Sequence, residues 1–271
     1  MGLHSDYANR IRALAARSGE MSDELFLGRV LLSASLWRSK VWGNTIGMTS
    51  TVVRSGPFKG MDYVVQSAEG AILPRLLGIY ERELHPTLYG LASERFDHVI
   101  DVGCAEGYYA VGLARLLSEA KVHAYDTDET ARRRCGILAR ANDVGDRVEV
   151  GGLFTGDAFE QFRGARVLVF VDAEGFEDEL LRPDLYGALA DFDIIVETHP
   201  MHRSDIINRL IERFEVTHSI TRFDPALGAA ELPDELLRAG HLDMVLAAWE
   251  WRAGPTPWLV MRPLSAPARV S

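Results

Sequence analysis

The chain has only two cysteines in 271 residues, Cys104 and Cys135, too few for a disulfide framework. No apolar run approaches the roughly 20 residues that a membrane-spanning helix needs. Residues 1–17 scatter charges among apolar positions and lack a signal-peptide core. Positive charge is scarce: 29 Lys and Arg face 39 Asp and Glu, giving a formal net charge of −10 and a pI near 5.3. A nucleic-acid backbone as principal partner would need a basic face, and this balance argues against one. The Gly-x-Gly-x-x-Gly fingerprint of dinucleotide enzymes is also missing. These absences favour a soluble, cytoplasmic protein with neither membrane nor nucleic acid as partner. With 47% hydrophobic residues, the chain can bury a full core, one domain plus an elaboration.

What is there begins with periodicity. Tyr7, Ile11, Leu14 and Ala15 recur at helical spacing over residues 6–16. Ser22, Asp23 and Glu24 suit the first turn of a second helix running through Leu32 to Trp37. Residues 51–54 and 61–65 flank the turn-forming run Ser55-Gly56-Pro57-Phe58-Lys59-Gly60 and read as a β-hairpin. Residues 71–91 are helical again, interrupted near Pro86. A mainly helical N-terminal cap is therefore expected over residues 1–92, and a second domain over 93–271. In the second, strand candidates at His98–Val102, Lys121–Tyr125, 147–150, 166–171 and Asp193–Glu197 alternate with helices at 108–119, Glu129–Ala141, 177–181 and 202–214. That alternation implies an α/β fold with a parallel sheet and right-handed crossovers. Segments 216–222 and 258–261 are candidates for an antiparallel pair that ends the sheet, and Ala266 to Ser271 for a loose tail.

The run from Asp97 to Ala114 says the most. An apolar strand ends near Asp101, a turn follows with Gly103, Cys104 and Gly107, and then a helix of small and apolar residues begins. Glycine lets backbone pass close to a ligand, and the helix start offers unpaired N–H groups. This is the layout of a nucleotide-type cofactor site at the carboxyl edge of a parallel sheet. Cys104 reads as a small space-filler within the turn. Asp126 follows Asp101 by 25 residues at the end of the second strand, where an acid accepts hydrogen bonds from ribose hydroxyls. Asp128 suits the cap of the next helix. At the fourth strand end, Asp172, Glu174 and Glu177 crowd together; a helix starting near Glu174 would put Glu174 and Glu177 on one face. A helix N-terminus stabilises each carboxylate by only ~0.3–1 kcal/mol, so three acids there point to acceptors for a ligand. The fifth strand ends Glu197-Thr198-His199, which adds a candidate general base. His202 and Arg203 read as a solvated helix start, and Trp249, Trp251 and Trp258 as packing.

The spacing Asp101-x-Gly103-x-x-x-Gly107 resembles the first motif of class I S-adenosylmethionine (SAM) methyltransferases. The run Asp172-x-Glu174-Gly175-x-Glu177, followed by Glu197-x-His199, narrows the resemblance to FkbM-like methyltransferases over roughly residues 95–200. That family is best known for O-methylation of natural products and sugars. The resemblance implies a Rossmann-like fold with a seven-stranded, mostly parallel sheet and helices on both faces. It implies that Asp101, Gly103 and Gly107 line the methionine moiety with Cys104 beside them, and that Asp126, with Thr127, holds the ribose. Glu81, within Tyr80-Glu81-Arg82-Glu83-Leu84, would reach the SAM amino group, and Asp172, Glu174, Glu177, Glu197 and His199 would border the acceptor. The chain departs from the family at Tyr125-Asp126-Thr127, where members often carry an aromatic-Glu-Pro ending. The cap and residues 249–262 match no family motif.

The expectation is thus a SAM-dependent methyltransferase acting on oxygen of a small molecule and releasing S-adenosylhomocysteine (SAH). In-line displacement would rest on proximity and orientation, with His199 as base and Asp172 as second choice. Gly103→Val should abolish cofactor binding and leave the fold largely intact. The acids and His199 are compatible with a divalent metal, but no ligand set is assigned, because their spacing matches no metal-dependent signature. Two rivals are weaker: an NAD-linked oxidoreductase lacks its glycine fingerprint, and a non-catalytic scaffold or sensor would not need both turn and acidic cluster. A homodimer through the N-terminal helices is the expected assembly.

Overall fold

The computed structural model describes residues 2–67, 70–225, 232, 234–252 and 254–264; the tail expected from Ala266 to Ser271 lies outside them. In chain order the elements are α1 (Leu3–Ala16), α2 (Asp23–Gly47), α3 (Ile72–Leu77), α4 (His85–Leu91), β1 (His98–Val102), α5 (Tyr108–Leu116), β2 (Lys121–Tyr125), α6 (Glu129–Ala141), β3 (Val148–Gly151), β4 (Val167–Val171), α7 (Glu177–Leu180), β5 (Asp193–Glu197), α8 (Ile206–Phe214), β6 (His218–Phe223), α9 (Asp234–Leu237), α10 (His241–Ala248) and β7 (Trp258–Pro263).

The strands form one seven-stranded sheet in the order β3-β2-β1-β4-β5-β7-β6. β1 to β5 pair in parallel, and β7 inserts antiparallel between β5 and β6. This is the Rossmann-like methyltransferase fold with helices on both faces, as the alternation of strand and helix implied. β4, Val-Leu-Val-Phe-Val, is buried at every position because it lies mid-sheet and both its faces are covered. Alternate residues face two separate cores. Val99, Leu168, Phe170 and Ile195 pack with α4, α5 and α6. Ile100, Val169, Ile194 and Val196 pack with α7, α8 and the turns around Phe159 and Leu189.

The N-terminal region is mainly helical, with two local differences from the sequence reading. The hairpin shrinks to a single antiparallel bridge, Val52 to Asp62. The Arg54 N–H leaves that pairing to donate to the Leu76 carbonyl at 2.9 Å, in α3, so the ladder cannot extend. The interruption expected near Pro86 falls earlier. Gly78 closes α3 in the left-handed region, whereas Pro86 sits in the first turn of α4, where its missing N–H costs nothing. Residues 53–91 share their core with β1 and α5: Phe58, Met61, Tyr63, Leu84 and Leu91 are buried against Val99 and Tyr108. Among the described residues no helix is long and apolar enough to cross a membrane.

Candidate functional site

The carboxyl ends of β1, β2, β4 and β5 open into a cavity of about 920 Å³. Among the expected site residues, Gly103, Asp126, Thr127, Asp172, Glu174, Glu197 and His199 line it; Glu81, Asp101, Cys104, Gly107 and Glu177 do not.

One end is built by the turn after β1. Gly103 and Cys104 donate their N–H groups to the Tyr125 carbonyl at 2.9 and 3.0 Å, which bends the chain over the end of β2. The Asp126 carboxylate spans that bend, accepting the Ala105 N–H at 2.9 Å and the Asp128 N–H at 2.7 Å. Asp128 in turn caps α6 through the Thr130 N–H at 2.8 Å, as its position in the sequence suggested. The glycines serve the chain's own packing. Gly103 has φ +87°, and a Cβ there would overlap the carbonyl oxygen of Asp172. Gly107 has φ +97°, and a Cβ there would meet Cys135 Sγ of α6 at 2.8 Å. The expectation that Gly103→Val spares the fold is therefore overturned: the branched side chain collides with the Asp172 backbone, just past β4, before it reaches any ligand. Cys104 and Cys135 are both buried, and Cys104 fills space as expected, its thiol pushed up by the hydrogen bond with Cys135 and by burial. Asp101 sits behind the turn with Oδ2 unpartnered among the described residues. Burial and the Asp126 charge push its carboxyl up to about 8.

The opposite end is built from side chains. His199 leaves β5 with Nδ1 held by Glu177 Oε1 at 2.6 Å, and the same oxygen accepts the Gly175 N–H at 3.0 Å. Glu177 is 1% exposed and lies behind the imidazole, so it orients His199 and has no face toward a substrate. Nor do Glu174 and Glu177 share a helix face: α7 starts only at Glu177, and Glu174 is left-handed at φ 47°. Burial pushes the His199 imidazole down, but the Glu177 hydrogen bond and the charges of Glu177, Glu197 and Glu174 prevail and raise it above 6.5. Burial, then the Glu197 charge and a hydrogen bond with Glu197, then the Glu81 and Glu174 charges, push the Asp172 carboxyl well up.

Arg252, from the segment between α10 and β7, ties this end together. It reaches Glu81 Oε1 at 2.9 Å and Glu250 Oε2 at 2.7 Å, lies 3.8 Å from Glu83 and also pairs with Glu197. Glu81 is thereby committed: Arg252 holds one oxygen, the Tyr109 hydroxyl donates to the other, and Tyr80 stands on the cavity wall in its place. Burial and the Glu197 charge push Glu81 up to about 8 against the pull of Arg252.

Sequence reasoning passed over Arg252 and read Trp251, which lines the cavity, as packing, because nothing in their spacing links them to β5. Leu153 and Phe154, also on the wall, were more accessible to it, since they follow the third strand at the same sheet edge. Backbone strain gathers here as well. Five described non-glycine residues have positive φ; Ala105, Glu174 and Trp251 line the cavity, and Glu81 adjoins it, leaving only Asp143 elsewhere. Such residues cost about 1–3 kcal/mol each and persist where the surroundings over-determine them.

No family model matches the chain. A release factor glutamine methyltransferase of Synechocystis is 28% identical over 114 residues, 40% of this chain and 37% of that protein. The match therefore spans well under two thirds of that relative. Similar solved structures include an O-methyltransferase from Bacillus cereus in complex with SAH (15% identity, 64% of this chain, 78% of the other, TM-score 0.45). A SAM-dependent O-methyltransferase from Thermotoga maritima shows 13% identity over 68% of this chain and 65% of its own, with TM-score 0.47. The C-terminal domain of a precorrin-6Y C5,15-methyltransferase from Rhodobacter capsulatus shows 14% identity, 66% and 86% coverage and TM-score 0.45. The fold assignment itself rests on the strand order.

Proposed function

We propose that the chain is a SAM-dependent methyltransferase that methylates oxygen on a small molecule, with a natural product or sugar-like compound as acceptor. One observation carries the reading: a single cavity runs from the Asp126 cradle to the cluster of Asp172, Glu174, Glu197 and His199. SAM would lie with its ribose on Asp126 and its methionine end toward Gly103, so that the methyl group points at the acidic end. The acceptor hydroxyl would sit there, with Asp172 and His199 as the groups within reach of its proton. Transfer then depends on holding sulfur, methyl carbon and oxygen in line, the contribution that a rigid, water-poor site makes best. The order Asp172-x-Glu174-Gly175 and Glu197-x-His199 supports an FkbM-like enzyme within this class.

Calorimetry with SAH tests the cofactor. Binding to the wild type, weakened sharply in Asp126→Ala, supports the reading; no SAH binding by the wild type, or NAD binding in its place, removes it.

A further inference from the structure

We propose that Asp172, Glu174 and His199 bind a divalent metal cation at the acceptor end of the cavity, with Glu197 beside them. Each of the three offers a donor atom, and these atoms lie within 4.8 Å of one another. His199 Nε2 stands 3.6 Å from Asp172 Oδ1, 3.5 Å from Glu174 Oε2 and 3.6 Å from Glu197 Oε2. Those gaps exceed the ~2.7–3.2 Å of an N–H···O hydrogen bond. They are close to the roughly 3.4 Å that separates neighbouring donors around a tetrahedral ion with ~2.1 Å bonds.

Two further observations point to a ligand. The His199 side chain is only 6% exposed, and its Nε2 makes no hydrogen bond among the described residues. Because Glu177 Oε1 already accepts the Gly175 N–H, it acts as an acceptor toward Nδ1 too, which therefore carries the hydrogen. Nε2 is then the ring atom that faces the three carboxylate oxygens. Asp172 Oδ1, in addition, is buried without a hydrogen-bond partner among the described residues. Arg252 engages Glu197 through Oε1, which leaves Oε2 of the same carboxylate facing Nε2.

The surroundings fit an ion. A carboxylate behind a ligating imidazole, here Glu177, fixes its tautomer and raises its basicity. The left-handed backbone at Glu174, φ 47°, turns its carboxylate back over Asp172 and His199 from the open side of the cavity. One imidazole with two or three carboxylates suits Mn²⁺, Fe²⁺ or Zn²⁺ better than Ca²⁺. The ion site stands on this geometry alone, but its use rests on the methyl-transfer reading. There the cation would lower the pKa of an acceptor hydroxyl, and His199 would serve as ligand in place of base.

Mn²⁺ titration of the full chain, followed by loss of the free-ion electron paramagnetic resonance signal, tests the site. The expected result is one Mn²⁺ per chain, weakened at least ~10-fold by His199→Ala and by Glu174→Gln. Glu177→Gln touches no ion, yet should weaken binding ~10–100-fold by releasing the ring. Asp184→Asn, an exposed acid paired with Arg182 away from the cavity, should leave binding unchanged. Circular dichroism confirms that each variant folds; Glu174 is 57% exposed, so Glu174→Gln keeps the test alive if a buried variant fails. No Mn²⁺ bound by the wild type, or binding unchanged in Glu174→Gln and His199→Ala, overturns the proposal. SAH calorimetry on the same protein separates the two readings. SAH bound without Mn²⁺ overturns the metal alone, and Mn²⁺ bound without SAH overturns methyl transfer alone.

Discussion

The two ends of the cavity are made in different ways. The end near Asp126 is a backbone device: two glycines, one left-handed alanine and a carboxylate that gathers N–H groups from within 21 residues of itself. The end near His199 is a side-chain device. Its carboxylates come from the ends of β4 and β5, and one of them, Glu197, is braced by Arg252, whose partner Glu81 lies 171 residues away. A backbone device is tolerant of what its side chains are, provided the chain can bend. A side-chain device depends on each group's chemistry. This fits a division in which one end takes an invariant cofactor and the other a particular acceptor.

Substitutions can break or sharpen that contrast. The largest effect is expected at the side-chain end: His199→Ala should lower methyl transfer by ~10²–10⁴-fold while SAH affinity stays near wild type. Steady-state rates beside calorimetry check this, and a parallel loss of SAH binding would show that the two ends are not separable. Next comes the backbone end, where Gly103→Val should destabilise the whole fold. The left-handed conformation costs a branched residue about 1–2 kcal/mol, and overpacking against Asp172 adds about 1–3 kcal/mol. Denaturant unfolding measures the sum. Asp126→Ala should weaken SAH by about 1.5–3 kcal/mol, roughly 10- to 150-fold, through loss of a charged acceptor. If it also lowers the melting temperature, the carboxylate is holding the bend at Ala105 and Asp128 as well as the ribose.

The last test reads a change of slope. Burial and the Asp126 charge push the Asp101 carboxyl up to about 8 in the folded protein, against about 3.8 in an unfolded chain. Between those limits the folded state binds more protons than the unfolded one, so stability falls as pH rises. Asp101→Asn should flatten that decline, and melting temperatures recorded from pH 5 to pH 8.5 would show it. A curve identical to wild type would mean that Asp101 ionises normally behind the turn.

The same contrast explains what could be read from the sequence. The sheet, its antiparallel closing pair and the turn after β1 announce themselves through period, glycine placement and strand-helix alternation, all short-range signals. Asp126 and Asp128 were legible for the same reason. Glu177 was recognised as part of the acidic cluster but given the wrong task, because a linear run cannot show which carboxylate lies behind an imidazole. Glu81 sat in a sensible place for a cofactor contact, yet Arg252 and Tyr109 claim it. Gly103 and Gly107 do mark close approaches, but the atoms that come close are those of Asp172 and Cys135. A sequence marks where backbone must approach something closely without saying whether that is ligand or protein.

Arg252 has a kinetic corollary. Contacts between residues 171 apart must wait for nearly the whole chain to be in place, and closing so long a loop is slow to be rewarded. The turn over β2 closes within a few dozen residues. During synthesis from the N-terminus, the cradle around Asp126 can form while the arginine that braces Glu81 and Glu197 has yet to be made. The acceptor end is therefore the last part of the cavity to take shape, and the first that a slow or interrupted folding reaction leaves unfinished.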